Sequence, residues 1–258
     1  MRNFYRTLSF AGLGIVRASH LAQLQKIEAD AYGLLQDLAL RHGARPEHIK
    51  SQIGQDLFAL YALQWKRDGY FVEFGATNGV DLSNSYLLEK DFGWKGILAE
   101  PAKIWHAALL KNRTVSIDFD CVWKESGSEM QFAVTENAEF STLGDFAASD
   151  EHKRSRKSAI WQPVKTISLN DLLERHAALR QIDYLSIDTE GSELDILRAF
   201  DFDRHIFSVI TCEHNYSSNR NDLYQLLVRH GYMRVFEGLS RWDDWYVHLS
   251  VQAMHYLR

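Results

Sequence analysis

The stretch IDTEGSE, residues 187–193, places Asp188, Glu190 and Glu193 within a few positions, directly after an apolar run. Carboxylates this close repel one another unless something positive binds between them. A second apolar run, FSVITC, closes on Glu213, His214 and Asn215. Carboxylate, imidazole and amide oxygen are suitable ligands for a divalent ion, and imidazole is the usual general base near neutral pH. If the two runs are neighbouring strands, Asp188 comes close to Glu213 and His214, so Asp188 and His214 are the candidate centre for removing a proton. No HExxH or CxxC spacing points to a catalytic zinc.

A second constellation lies upstream. The run YFVEF, residues 70–74, carries an acid, Glu73, and is followed by Gly75 and Gly79. Charges are rarely buried without a partner, so Glu73 needs a cation or several hydrogen-bond donors beside it. Glycines allow positive φ and close approach of the backbone to a ligand. Another apolar run, GILA, ends on Glu100, 27 residues after Glu73. That is about the spacing at which an acid at the end of the second strand meets the ribose hydroxyls of a nucleotide. The glycines, however, follow E-x-G-x-x-x-G and not the G-x-G-x-x-G of a pyrophosphate cradle. An adenosyl ligand without a diphosphate fits, and S-adenosylmethionine is such a ligand. Its cationic end suits an acidic pocket and its ribose suits Glu100. A helix-capping acid beside a tight turn is the plainer reading, and it accounts less well for both acids and both glycines together.

These residues need a scaffold that brings strand ends together. Strand patterns occur at 70–75, 96–100, 114–119, 182–187, 206–212, 231–236 and 245–250, with helical patterns in most of the gaps. Such alternation predicts an α/β fold with a mostly parallel sheet, right-handed crossovers and helices on both faces. The last two strands are joined by too short a segment for a crossover, so the final strand is expected to insert antiparallel. Ligands of such sheets bind outside the carboxyl ends of the strands. The polar, charged stretch 136–161 is long for a connection and reads as a lid or as a solvated insertion.

The chain has 258 residues, 46% of them apolar and 24% charged, with a net charge of −5. One large domain with an appendage fits this length. The negative balance and the lack of a basic stripe with interleaved aromatics argue against a nucleic-acid partner. Two cysteines, Cys121 and Cys212, support neither a disulfide framework nor a thiolate zinc site, and a reducing cytoplasm is the simplest location. The first seventeen residues contain three arginines, no acid and a nine-residue apolar run, Leu8–Val16, too short to span a bilayer. A surface-lying amphipathic anchor and a structural helix or partner contact both remain open for them. From Ala18 to His42 an apolar stripe, Leu21, Leu24, Ala31, Leu35 and Leu38, predicts a helix that packs on its own domain or in a homo-oligomer contact. Residues 1–50 are therefore expected to form a helical extension, dispensable for cofactor binding and serving assembly or a peripheral membrane or glycan-assembly contact.

Five stretches taken in order, SQIGQDLF, FVEFGATNGVDLSNSYLLEKDFGWKGILAEP, IDYLSIDTEGSELDIL, ITCEHN and HGYMRV, resemble the FkbM family of S-adenosylmethionine-dependent methyltransferases. The resemblance runs from about Ser51 to Val247 and leaves the first 50 residues outside. It implies a seven-stranded, Rossmann-like class I methyltransferase fold in residues 51–258 and O-methylation of a sugar, polysaccharide or related natural product. Carried over by motif, Glu73, Gly75 and Gly79 would line the methionine end with Asn84 near it, Glu100 would hold the ribose, Asp120 and Cys121 of DFDCVW would lie near the adenine, and Asp188 would face the reacting centre. By analogy with catechol-type O-methyltransferases, Asp188, Glu213 and Asn215 are the candidate ligands of Mg or Mn. Two other classes stay open. The missing G-x-G-x-x-G counts against a nucleotide-sugar or NAD-type oxidoreductase, and the cluster of Asp188, Glu213 and His214 counts against an inactive partner-binding protein in a glycan-assembly complex.

Overall fold

The computed structural model describes residues 18–134, 142–143 and 159–251, and the side chains within them other than those of 18–29 and 142–143. The acid-free segment 1–17 and most of the stretch 136–161 lie outside the described residues, as do the side chains of Leu21 and Leu24. The described residues open with helix α1 (Ala18–Arg41), stopped by left-handed Gly43. A short 3-10 turn (Pro46–His48) leads to α2 (Gln55–Ala62). There follow β1 (Tyr70–Phe74), α3 (Tyr86–Phe92), β2 (Lys95–Ala99), α4 (Lys103–Asn112) and β3 (Ser116–Asp118). A second, smaller sheet comes next, made of β4 (Cys121–Trp123), β5 (Glu129–Val134), β6 (Thr142–Leu143) and β7 (Ile160–Ser168). Its Ser168 hydroxyl caps α5 (Leu169–Arg175) by accepting from the Asp171 N–H. The main sheet then resumes with β8 (Gln181–Ile187), α6 (Glu193–Arg198), β9 (Ile206–Glu213), α7 (Arg220–Arg229), β10 (Tyr232–Val235) and β11 (Asp243–His248).

The seven strands of the main sheet run in the order β10-β11-β9-β8-β1-β2-β3. All pair in parallel except β11, which lies antiparallel between β9 and β10, with Asp243 opposite Glu213 and Trp245 opposite Thr211. Because helices cover both faces, β1, β2, β8 and β9 are buried on both sides and read as near-continuous apolar runs. Val72, Phe74, Ile97 and Leu185 face one core, with α5, α6 and α7. Phe71, Leu98, Tyr184, Val209 and Trp245 face the other, with α2 and α3. Leu35 and Ala39 of α1 belong to this second core, and Phe58 of α2 stacks on Trp245 at 4.7 Å. The later part of α1 is thus built into the domain. No helix of the described residues is long and apolar enough to cross a membrane.

The small sheet departs from expectation, since the strand patterns leave 120–181 without a strand and 136–161 reads as a lid or a solvated insertion. Its strands β4 and β6 have three and two residues, too few to show a period, and β7 begins with two exposed apolar residues, Ile160 and Trp161. Both cysteines are buried free thiols.

Candidate active site

The order of the main sheet brings the ends of β1, β2, β8 and β9 side by side, and the chemistry gathers there. The turn after β1 is left-handed at Gly75, φ +71°. A Cβ on Gly75 would sit 2.3 Å from the main-chain oxygen of Asp188, so the turns after β1 and β8 abut with no side chain between them.

Glu73 and Gly79, expected beside the ligand, are closely held by groups of the protein itself. The Glu73 carboxylate accepts from Asn84 N (2.6 Å), the Ser83 hydroxyl (3.1 Å) and the Ser85 hydroxyl, with Arg113 Nη1 at 3.9 Å. Arg113 is wholly buried and also binds Glu89, the Ser83 and Ser85 hydroxyls and the Gly79 carbonyl. Burial pulls the Glu89 carboxyl up, but the Arg113 charge and donated hydrogen bonds outweigh it and hold it down at about 2. Gly79 (φ +78°) is glycine because a Cβ would lie 2.6 Å from both Arg113 Cγ and Leu109 Cδ1. The cation that buried Glu73 demanded is therefore a protein side chain.

Glu100, just past β2, is different. It is 4% exposed, and its oxygens accept one main-chain N–H each, from Thr77 and Ala102, both at 2.8 Å. Burial pushes its carboxyl up to about 7, against those two hydrogen bonds and with help from the charge of Asp188. A carboxylate has about four acceptor positions, so two remain. Cys121 lies close enough that burial and then the Glu100 charge push its thiol up. Asp120 turns to an ion pair with Arg175 Nη1, 2.8 Å away. Asn84, 7% exposed, donates through Nδ2 to the Ser186 hydroxyl at 2.9 Å, while its buried Oδ1 has no hydrogen-bond partner.

On the other side, Asp188, Glu190 and Glu213 each offer a carboxylate oxygen, all within 4.8 Å of one another. Burial, then the charges of Asp188, Glu190 and Asp243, drive the Glu213 carboxyl far above its usual range, and its buried Oε2 has no hydrogen-bond partner. Three acids so arranged, with an orphaned oxygen among them, fit a hard divalent ion with oxygen ligands. The third oxygen comes from Glu190, φ +59°, and Asn215, the expected ligand, has its Nδ2 3.5 Å from Glu190 Oε2. Glu193 staples its own loop, accepting from the N–H groups of Thr189 and Gly191.

His214 does not face the cluster as a base. Nδ1 accepts from the Tyr216 N–H at 2.9 Å, which puts the proton on Nε2, 3.0 Å from the Asp243 carbonyl to which it donates. Burial, followed by repulsion from Arg220, pushes this imidazole down to about 4. Both nitrogens are engaged, and the ring ties β9 to β11.

Asp243 was missed. It lies in a narrow crevice with Gln52, Gln55, Asn84, Asp188 and Trp242, and accepts from Gln55 Nε2 at 3.0 Å. Burial and the Asp188 charge raise its carboxyl to about 8. The signal was present as WDDWYV, two acids opening an apolar strand, and as Gln55 in SQIGQDLF.

The methyltransferase FkbM domain matches residues 73–236, which include Glu100, Asp188 and Glu213. No curated protein matches the chain at a significant level. Among solved structures, the chain is similar to an O-methyltransferase from Bacillus cereus in complex with SAH (12% identity, 95% of each chain, TM-score 0.41). It is also similar to precorrin-6y C5,15-methyltransferase from Geobacter metallireducens (13%, 80% of this chain and 93% of that one, TM-score 0.39). The C-terminal domain of the corresponding enzyme from Rhodobacter capsulatus is a third (16%, 79% and 91%, TM-score 0.36). At these values none of the three bears on acceptor or reaction. The family match covers more than half of the sequence: the chain belongs to the FkbM methyltransferase domain family.

Proposed function

We propose that the protein is an S-adenosylmethionine-dependent O-methyltransferase that acts on a hydroxyl of a sugar, polysaccharide or related natural product. The observation that carries this reading is the meeting of Glu100 and Asp188 across the Gly75 turn, close enough for the charge of one to raise the carboxyl of the other. Glu100, with two acceptor positions left, would take the ribose hydroxyls. The orphaned Oδ1 of Asn84 would accept from the ammonium of the amino-acid end. S-adenosylmethionine supplies a methyl group on a sulfonium, and its sulfur keeps the C–S electron pair as a neutral thioether. The chain's own task is to hold the acceptor oxygen in line and remove its proton.

Asp188 stands at the end of β8, and its carboxylate would orient the acceptor hydroxyl and accept the proton as the oxygen lone pair forms the new C–O bond. With both nitrogens of His214 engaged, the proton passes to a carboxylate instead. Asp188, Glu190 and Glu213 would hold Mg or Mn, which lowers the pKa of a bound hydroxyl. Titration calorimetry tests the cofactor: the demethylated product, S-adenosylhomocysteine, should bind, and Glu100→Ala should weaken it by about 1–3 kcal/mol, the penalty for unsatisfied buried hydroxyls. Tight NAD binding with no response to S-adenosyl compounds would sink the reading.

A further inference from the structure

Beside the crevice that holds Asp188 lies a cavity of about 360 Å³, lined by Tyr32, Leu35, Gln52, Ile53, Leu239, Arg241 and Trp245. Its volume is that of a small-molecule site, and its walls have the usual composition of one, apolar and aromatic with a few polar groups at the edge. Tyr32 and Leu35 come from α1, Leu239 and Arg241 from the β10–β11 connection, and Trp245 from β11. The Tyr32 ring packs against left-handed Gly54 (φ +90°), where a Cβ would come within 3.1 Å of two of its carbons. The wall contributed by α1 is thus fitted to the domain.

Two features connect this cavity to the chemistry. Gln52 lines both the cavity and the crevice of Asn84, Asp188 and Asp243. The β10–β11 segment likewise serves both, giving Trp242 and Asp243 to the crevice and Arg241 and Trp245 to the cavity. A third feature concerns ownership. All seven lining residues fall outside the family domain of 73–236, whereas Asn84 and Asp188 fall inside it.

We infer that the cavity beneath α1 is the acceptor site, and that the acceptor is amphiphilic: an apolar alkyl or ring portion sits among Leu35, Ile53, Leu239 and Trp245 while its hydroxyl reaches past Gln52 to Asp188. The inference rests on the methyltransferase reading. It narrows the acceptor from a bare polysaccharide to a hydroxylated compound with an apolar body, such as a glycolipid-like or aglycone-bearing molecule, because three aliphatic side chains give a purely polar sugar nothing to replace its lost water. It also gives the later part of α1 a part in specificity.

The test uses the full chain saturated with S-adenosylhomocysteine and two probes, octyl β-glucoside below its micelle concentration and methyl β-glucoside. Octyl glucoside should bind at least tenfold more tightly, since each buried methylene contributes about 0.8 kcal/mol. Leu239→Trp, at a partly exposed loop position, should fill the cavity and reduce that preference to less than threefold with S-adenosylhomocysteine affinity unchanged. Equal affinity for the two glucosides, or a preference that survives Leu239→Trp, would overturn the acceptor site and leave the methyltransferase reading standing. Failure of the wild type to bind S-adenosylhomocysteine would instead remove that reading and the inference with it. Should Leu239→Trp lose its fold, Tyr32→Ala serves: octyl glucoside should weaken at least fivefold, and an unchanged affinity would count against the site.

Discussion

Glu73 and Glu100 are both acids buried at strand ends on neighbouring strands, and they have opposite surroundings. Glu73 sits with Glu89 around the buried guanidinium of Arg113, every oxygen of Glu73 is engaged, and Glu89 is held down at about 2. Glu100 shares its space with Asp188 and has only main-chain donors, and burial lifts it to about 7. The same contrast recurs between adjacent residues of β11. Asp244 is clasped by Arg220 Nη2 at 2.6 Å and Arg234 Nη1 at 3.3 Å, while Asp243 has Gln55 and is raised to about 8. A buried acid whose cation comes from its own fold is a structural part. An acid raised by burial and by a neighbouring acid, with no cation of its own fold beside it, is a candidate for a partner that arrives from outside.

The largest effect should come from the acid cluster at the end of β8. Asp188→Asn should lose on the order of 10²–10⁴ in turnover, the usual share of a positioned proton acceptor, while S-adenosylhomocysteine affinity changes little. Chelation should abolish activity and Mg or Mn restore it, and full activity in a chelator would remove the metal from the scheme. Among the paired acids the effect should fall on stability instead. Arg113→Met leaves Glu73 and Glu89 buried without their cation, which costs about 3–5 kcal/mol in denaturant unfolding. A loss under 1 kcal/mol would erase the distinction between the two groups.

A smaller effect is a slope with pH. The Glu100 carboxyl rises from 4.5 to about 7 on folding, so the folded state favours its protonated form. Its contribution to stability is complete below pH 4.5, is lost as the pH climbs through 7, and is constant above. Between those limits wild type should lose stability relative to Glu100→Gln by up to about 1.4 kcal/mol per pH unit. Parallel curves for the two proteins would place Glu100 with the paired acids. Smallest is His214→Asn, for which less than a tenfold change in turnover of the folded enzyme is expected; a loss of 10²–10⁴ would return it to the role of base.

The sequence was a good guide wherever burial on both faces left an unbroken apolar run. The four central strands, β1, β2, β8 and β9, and the meeting of Asp188 with Glu213 follow from such runs and their order, and the reversed final strand from the short connection before it. It was a poor guide to partners. Nothing local to YFVEF shows that the cation for Glu73 is Arg113, 40 residues on, because that contact forms only when α4 packs beside β1. His214 looked like a base because imidazole beside acids is ambiguous until the direction of each ring nitrogen is known. Asp243 escaped because its neighbours are Gln55 and Asp188, far away in the chain. The small sheet escaped in part because β4 and β6, of three and two residues, carry no period, and because β7 opens on exposed apolar residues.

Strand β11 is the last to be made among the described residues and yet lies second from the edge of the sheet, between β9 and β10. A ribosome emitting this chain releases the cofactor end, from Glu73 to Asp188, long before residues 243–248. Until those residues emerge, β9 has an open edge, His214 lacks the carbonyl it donates to, and the crevice lacks Asp243. Long-range pairing of this kind is slow because its chain entropy is lost before its contacts form. Competence to bind the cofactor should therefore precede competence to use it during synthesis. Nascent chains stalled a few residues short of β11 should capture S-adenosylhomocysteine while remaining sensitive to protease along β9, and that sensitivity should vanish once residue 248 clears the exit tunnel.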